Sequence, residues 1–127
     1  MESSRPRILI VDDEASIREA LSRWFTMRDF HVAVAASGPA AQALCREQTF
    51  DVMTMDLEMP EMSGFDTIAA LREQGVASPI VVLTGYPKNA DYAFELGAAR
   101  VLTKPIRLRE LEAEVRAVMD GVAGERG

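Results

Sequence analysis

Four places in the chain put a group capable of phosphorus or metal chemistry at the end of a short apolar run. Residues 8–11 end at Asp12-Asp13, residues 51–55 lead into Asp56, residues 80–83 end at Thr84, and residues 100–103 end at Lys104. Alone, Asp56 reads as the start of a turn, since Pro60 and Gly64 break the chain just after it. Polar groups at the other run ends make it part of a pattern. Carboxylates brought together repel by about 1 kcal/mol per pair at 4 Å in water, and several-fold more at a lower effective dielectric. A hard divalent cation relieves this, and Mg²⁺ takes one or two carboxylates while leaving positions for water and phosphate oxygens. Lys104 offers a point charge and Thr84 a hydroxyl donor, both suited to the oxygens of a phosphoryl group in transfer. A carboxylate beside them is a nucleophile toward phosphorus.

The elements that must position these groups follow from periodicity. Each run is short, continuous and rich in β-branched or apolar residues, as expected of a strand buried on both faces. Residues 31–35 form a further strand. Between the strands lie helical patterns: Ile17, Ala20, Leu21, Trp24 and Phe25, with Ser16-x-x-Glu19 as a capping box; Ala40, Ala43 and Leu44 behind Ser37-Gly38-Pro39; Phe65, Ile68, Ala69 and Leu71 running out near Gly75; and a weaker segment over residues 88–96 closed by Gly97. The last helix carries Leu108, Leu111, Val115, Val118 and Met119 on one face. Glu110, Glu112, Glu114 and Arg116 are expected to face outward, and Gly121 to end the helix. Five strands alternating with five helices predict an α/β fold: a flavodoxin-like, doubly wound (βα)5 sandwich with a five-stranded parallel sheet in the order 2-1-3-4-5. That order brings Asp12 and Asp13 beside Asp56 on the edge where ligands bind. Residues 1–120 are expected to form the domain and residues 121–127 a flexible tail.

Composition narrows the function. At 127 residues the chain fits one domain, and 48% hydrophobic with 27% charged residues excludes a disordered chain. No apolar run approaches the roughly 18 residues that span a bilayer, and the first residues lack a signal-peptide pattern, so a cytoplasmic location is expected. Fourteen Lys and Arg against 20 Asp and Glu give a net charge of −6, which argues against direct nucleic-acid binding. The single cysteine, Cys45, rules out an internal disulfide and reads as a small core residue. Met53, Met55, Met59 and Met62 around Asp56 read as core and loop filling. His31, at the start of a strand, reads as an edge residue.

Asp12-Asp13, Asp56-Leu57-Glu58-Met59-Pro60, Gly64, Thr84-Gly85, Gly97-Ala98 and Lys104-Pro105 together resemble the receiver domain of two-component response regulators, CheY-like in fold, over essentially the whole chain. Each motif is weak alone; together, in this order, they are specific. The resemblance implies that Asp56 accepts the phosphoryl group, that Asp13 ligates Mg²⁺ directly, and that Asp12 lies near the metal and can act through water. It implies the backbone carbonyl of Glu58 as a further ligand, and Thr84 and Lys104 as partners of the phosphoryl group. The implied donor is a sensor histidine kinase or a phosphotransfer protein. Downstream stands a protein target or output domain, with a homodimer among the partners the family forms.

Two departures bear on signalling. Val101 occupies the position, three before the lysine, where the family usually carries an aromatic side chain, so a ring-rotation switch is not expected. The segment from Thr84 to Gly97 is also shorter than is usual in the family, which predicts a trimmed fourth helix or a trimmed loop leading to it, and signalling by reordering of residues 85–96. Rival readings are a phosphohydrolase with an aspartate nucleophile, for which Glu58 is a weak acid-base group and a cap domain is missing; a flavin module, whose phosphate the Asp12-Asp13-Glu14 loop would repel; and a receiver-like scaffold that is never phosphorylated.

Overall fold

The computed structural model describes residues 5–126. Five parallel strands, β1 (Arg7–Val11), β2 (His31–Ala35), β3 (Val52–Asp56), β4 (Ile80–Thr84) and β5 (Arg100–Thr103), form one sheet in the order β2-β1-β3-β4-β5. The expected order is the observed one. Every residue of β3 and β4 is buried, and so are the last four of β1, whereas the edge strands β2 and β5 are partly exposed. The continuous apolar runs thus belong to the strands covered on both faces.

Side chains alternate across the sheet and build two cores. Leu9, Val11, Met53, Met55, Ile80 and Val82 pack with Ala41, Ile68 and Leu71 from α2 (Gly38–Glu47) and α3 (Gly64–Glu73). On the opposite face, Ile8, Ile10, Val52, Val81 and Leu83 pack with Leu21 and Phe25 of α1 (Ala15–Met27) and with Leu111, Val115 and Val118 of α5 (Leu108–Arg126). Burying each such side chain contributes about 1.5–3 kcal/mol. Cys45 packs at the margin of the first core, where burial raises its thiol pKa.

Local chemistry sets the helix ends. The Ser37 hydroxyl accepts a hydrogen bond from Ala40 N at 3.3 Å and the Ser63 hydroxyl accepts one from Asp66 N at 3.1 Å. Gly75 and Gly97 adopt φ of +95° and +107°, and Val76 N and Ala98 N reach back to Leu71 O and Ala93 O, closing α3 and α4 (Ala90–Glu95) with Schellman turns. α4 has six residues and is preceded by a 3-10 turn, Pro87–Asn89.

Three local expectations are corrected. Helix α1 is not capped by the Ser16-x-x-Glu19 pattern: it begins at Ala15, with Glu14 at the cap position. Asp12 supplies the side-chain acceptor there, its Oδ1 taking Glu14 N at 2.9 Å. Helix α5 passes through Gly121 and ends at Arg126, because a helical glycine costs only about 1 kcal/mol and here crowds nothing. Glu112 does not face solvent; it bridges to α1, accepting from Trp24 Nε1 at 3.0 Å and pairing with Arg28 and Arg116. Among the described residues no helix is long and apolar enough to cross a membrane.

Candidate metal and phosphoryl site

Because the strands are parallel, all their carboxyl ends lie on one edge of the sheet. Val11 pairs with Met55, Asp56 with Leu83, and Thr84 with Thr103, so Asp12, Asp56, Thr84 and Lys104 emerge within a residue of one another in register. Each predicted side chain is therefore at the same rim. Asp12, Asp56 and Thr84 are buried there, and Asp13 is half-buried.

Asp12, Asp13 and Asp56 can each offer a carboxylate oxygen such that all lie within 4.8 Å of one another. Asp12 Oδ2 is buried and has no hydrogen-bond partner. A buried carboxylate oxygen without a partner is costly, and here it belongs to a cluster of hard oxygen donors. The donor set fits a hard divalent cation, which prefers carboxylate and carbonyl oxygens.

Lys104 stands on the other side of Asp56, its Nζ donating to Asp56 Oδ1 at 2.9 Å; Glu58 N donates to the same oxygen at 3.1 Å. Lys104 N in turn bonds Thr84 O at 2.8 Å, tying the β4 and β5 ends together. Burial pushes the Asp56 carboxyl up to about 6; the Asp12 charge adds to the rise, and the Lys104 and Glu58 hydrogen bonds oppose it. Burial likewise raises Asp12, against its hydrogen bond from Glu14 N and the Lys104 charge. For Lys104, burial acts downward, but the Asp56 hydrogen bond and the charges of Asp56, Asp12 and Glu58 carry its pKa above the ordinary value. The rim is short of positive charge, and a cation would relieve it.

The loop behind Asp56 is shaped by Gly64. Gly64 N donates to Leu57 O at 3.0 Å, and a Cβ at Gly64 would stand 2.4 Å from Asp56 O and 2.6 Å from Leu57 Cα. Only glycine lets α3 begin so close to the backbone of Asp56.

The sequence reading gave Glu58 a role through its backbone carbonyl, but not the contacts of its side chain. The Glu58 carboxylate crosses to the end of β4, where Oε2 accepts from the Thr84 hydroxyl and Oε1 accepts from Gly85 N at 2.9 Å. Its place two residues after Asp56 was the available signal, but nothing in that spacing specifies where the side chain turns. Val101 is half-buried against the α2/α3 core, whereas Tyr86, Tyr92 and Phe94 around α4 are exposed.

Comparison with known proteins agrees with this geometry. The family model for the response regulator receiver domain matches residues 8–116. The DNA-binding response regulator MtrA of Mycobacterium tuberculosis is 39% identical over 120 residues, covering 92% of this chain and 52% of MtrA. The chemotaxis response regulator CheY4 of Vibrio cholerae is 32% identical, with a TM-score of 0.86 over 91% of this chain and 99% of that one. A receiver domain protein from Methanospirillum hungatei, at 24% identity, shares the fold with a TM-score of 0.90 over 96% of this chain and 99% of that one. The chain belongs to the response regulator receiver family, whose known role in two-component systems is to be phosphorylated by a kinase. It spans about half the length of the curated relatives it matches.

Proposed function

We propose that this domain takes a phosphoryl group onto Asp56, with Mg²⁺ held by Asp12, Asp13, Asp56 and the backbone carbonyl of Glu58. The observation that carries the reading is the ion pair of Lys104 with Asp56 at 2.9 Å beside the carboxylates of Asp12 and Asp13. A cation held there would neutralise the crowded anions and the incoming phosphate oxygens. Asp13 would bind it directly, and Asp12 directly or through water.

The donors that reach Asp56 converge on Oδ1, so Oδ2 is the attacking oxygen. It forms the bond to phosphorus as the bond from phosphorus to the donor's leaving atom breaks. The electron pair stays with that atom, the imidazole nitrogen of a kinase or phosphotransfer-protein phosphohistidine, which then takes up a proton. Lys104 stays with the charge that moves onto the phosphoryl oxygens, and the Thr84 hydroxyl donates to one of them. The reaction consumes the acceptor once per cycle, so the domain is a substrate that assists its own modification.

Output passes to a downstream protein target, an attached output region or a second copy of the chain; MtrA, by its name, couples such a domain to DNA binding. The receiver itself, with a net charge of −6, is not the nucleic-acid reader. With Val101 in place of a ring, the message leaves through residues 85–96. A phosphohydrolase would need Glu58 as a free acid-base group, and both its oxygens are held by β4.

The test is incubation with Mg²⁺ and acetyl phosphate followed by intact mass. Wild type should gain one phosphoryl group and Asp56→Asn none. Labelling that survives Asp56→Asn, or a wild type that is never labelled, overturns the reading.

A further inference from the structure

Thr84 and Gly85 supply the outward donors at the end of β4, and both are already in use. Thr84 Oγ1 accepts from Tyr86 N at 3.0 Å, and its single hydrogen goes to Glu58 Oε2. Gly85 N gives its hydrogen to Glu58 Oε1 at 2.9 Å. The two oxygens of one carboxylate thus sit where the oxygens of a tetrahedral anion on Asp56 would seek the same donors. Thr84 is fully buried, so its hydroxyl is closed to solvent.

We propose that the Glu58 carboxylate is an internal occupant of the phosphoryl-binding donors: it holds Thr84 and Gly85 in the resting protein and is displaced when an anion is bound at Asp56. The proposal rests on the reading of Asp56 as the acceptor and deepens it by adding a positioning residue that sets how readily the site is filled. Two physical effects act together. The resident charge repels the arriving one, and its two hydrogen bonds must break before the new ones form. The same carboxylate joins the loop after β3 to the loop after β4, so its release frees the backbone of Gly85 and Tyr86. Occupancy at Asp56 is thereby converted into movement of the segment leading to α4, a role that a ring at position 101 would otherwise serve.

A plain structural brace predicts the opposite sign. If Glu58 only held the loop in a productive shape, removing it would loosen the site and weaken anion binding. The experiment is a beryllofluoride titration of the full chain in saturating Mg²⁺, followed by the ¹⁵N-edited resonances of Gly85 and Tyr86. Wild type, Glu58→Ala, Glu58→Gln and Asp56→Asn are compared. Glu58→Ala should bind beryllofluoride about tenfold tighter than wild type, the equivalent of one charge-assisted hydrogen bond no longer broken on binding. Glu58→Gln, which keeps the shape and drops the charge, should tighten in the same direction by about threefold. Before any anion is added, the Gly85 amide of Glu58→Ala should be shifted from its wild-type position and exchange faster. Equal or weaker binding in both Glu58 variants, or an unmoved Gly85 resonance in Glu58→Ala, overturns the proposal. A wild type that gives no beryllofluoride response overturns the reading of Asp56 instead, so the two failures are distinct.

Discussion

Replacing Asp56 by Asn removes a charge that the fold holds at a loss. The side chain is 1% exposed, and burial with the nearby Asp12 charge lifts its carboxyl from 3.8 to about 6 despite Lys104. A rise of about two units, at roughly 1.4 kcal/mol each, means that ionised Asp56 costs the folded chain about 3 kcal/mol relative to the unfolded one. The folded pKa lies above the unfolded one, so the folded state holds the proton more tightly. The penalty is absent below pH 4, grows between pH 4 and 6, and is complete above pH 6. Asparagine keeps the shape and an acceptor for Glu58 N and Lys104 Nζ, but it weakens the bond to the ammonium by about 1 kcal/mol. Without metal at pH 7.5, Asp56→Asn should therefore be more stable by about 2 kcal/mol, or roughly 8 °C in Tm for a chain of this size. Urea unfolding in EDTA measures it, repeated at falling pH, where the gain should shrink toward pH 4. Added Mg²⁺ should stabilise wild type more than the variant and bring the two together. A variant no more stable than wild type at pH 7.5, or a gap that widens as pH falls, would refute the crowded-anion argument.

Lys104→Ala acts on the same pair with the opposite sign: Asp56 loses its cation, and metal-free stability at pH 7.5 should fall by about 2 kcal/mol, a loss that fades as pH falls through about 6, where Asp56 takes a proton. Gly64→Ala places a Cβ against the backbone of Asp56 and Leu57, which cannot yield as a side-chain tip would. It should lower stability by about 2–4 kcal/mol and slow labelling of Asp56 by acetyl phosphate, read by urea midpoint and intact mass. Arg72 donates from Nη1 to Val76 O and Ser78 O and from Nη2 to Gly97 O, each at 2.9 Å. Arg72→Lys cannot span three carbonyls from one point, and about 2 kcal/mol should be lost in chemical denaturation, with Gly97 and Ala98 amides exchanging faster.

The parts of the fold legible in the sequence are those that a period or a single residue decides. Ile80-Val81-Val82-Leu83, short, β-branched and flanked by Pro79 and Gly85, reads as a strand covered on both faces, and Gly75 and Gly97 mark turns that need φ above zero. Parallel strands did the rest for the site. Residues as far apart as Asp12, Asp56 and Lys104 meet because every strand delivers its last residue to the same edge, so naming the strand ends was enough to name the cluster. The misreadings share a different cause. Ser16-x-x-Glu19 has the pattern of a capping box, yet the acceptor at the start of α1 is Asp12, from a strand end already assigned to the site. Glu112 lies on the outward stripe of α5 by periodicity, but Trp24, 88 residues away, pins it inward. Contacts between elements override a stripe drawn on one helix.

Glu58 marks the boundary of what spacing can say. Along a strand the period of two fixes the face of each side chain, and Asp56 is the last residue of β3 to which that rule applies. Beyond it the chain turns, Met59 N bonding Leu57 O, and the direction of the next side chain is set by the donors it can find. The Thr84 hydroxyl and the Gly85 amide are such donors, left over where β4 ends and facing the turn. A carboxylate at position 58 takes both; a side chain too short to reach would leave them open. The polar groups at the rim are thus readable from sequence because the sheet places them. The contacts of Glu58 belong to a loop whose conformation had to be seen.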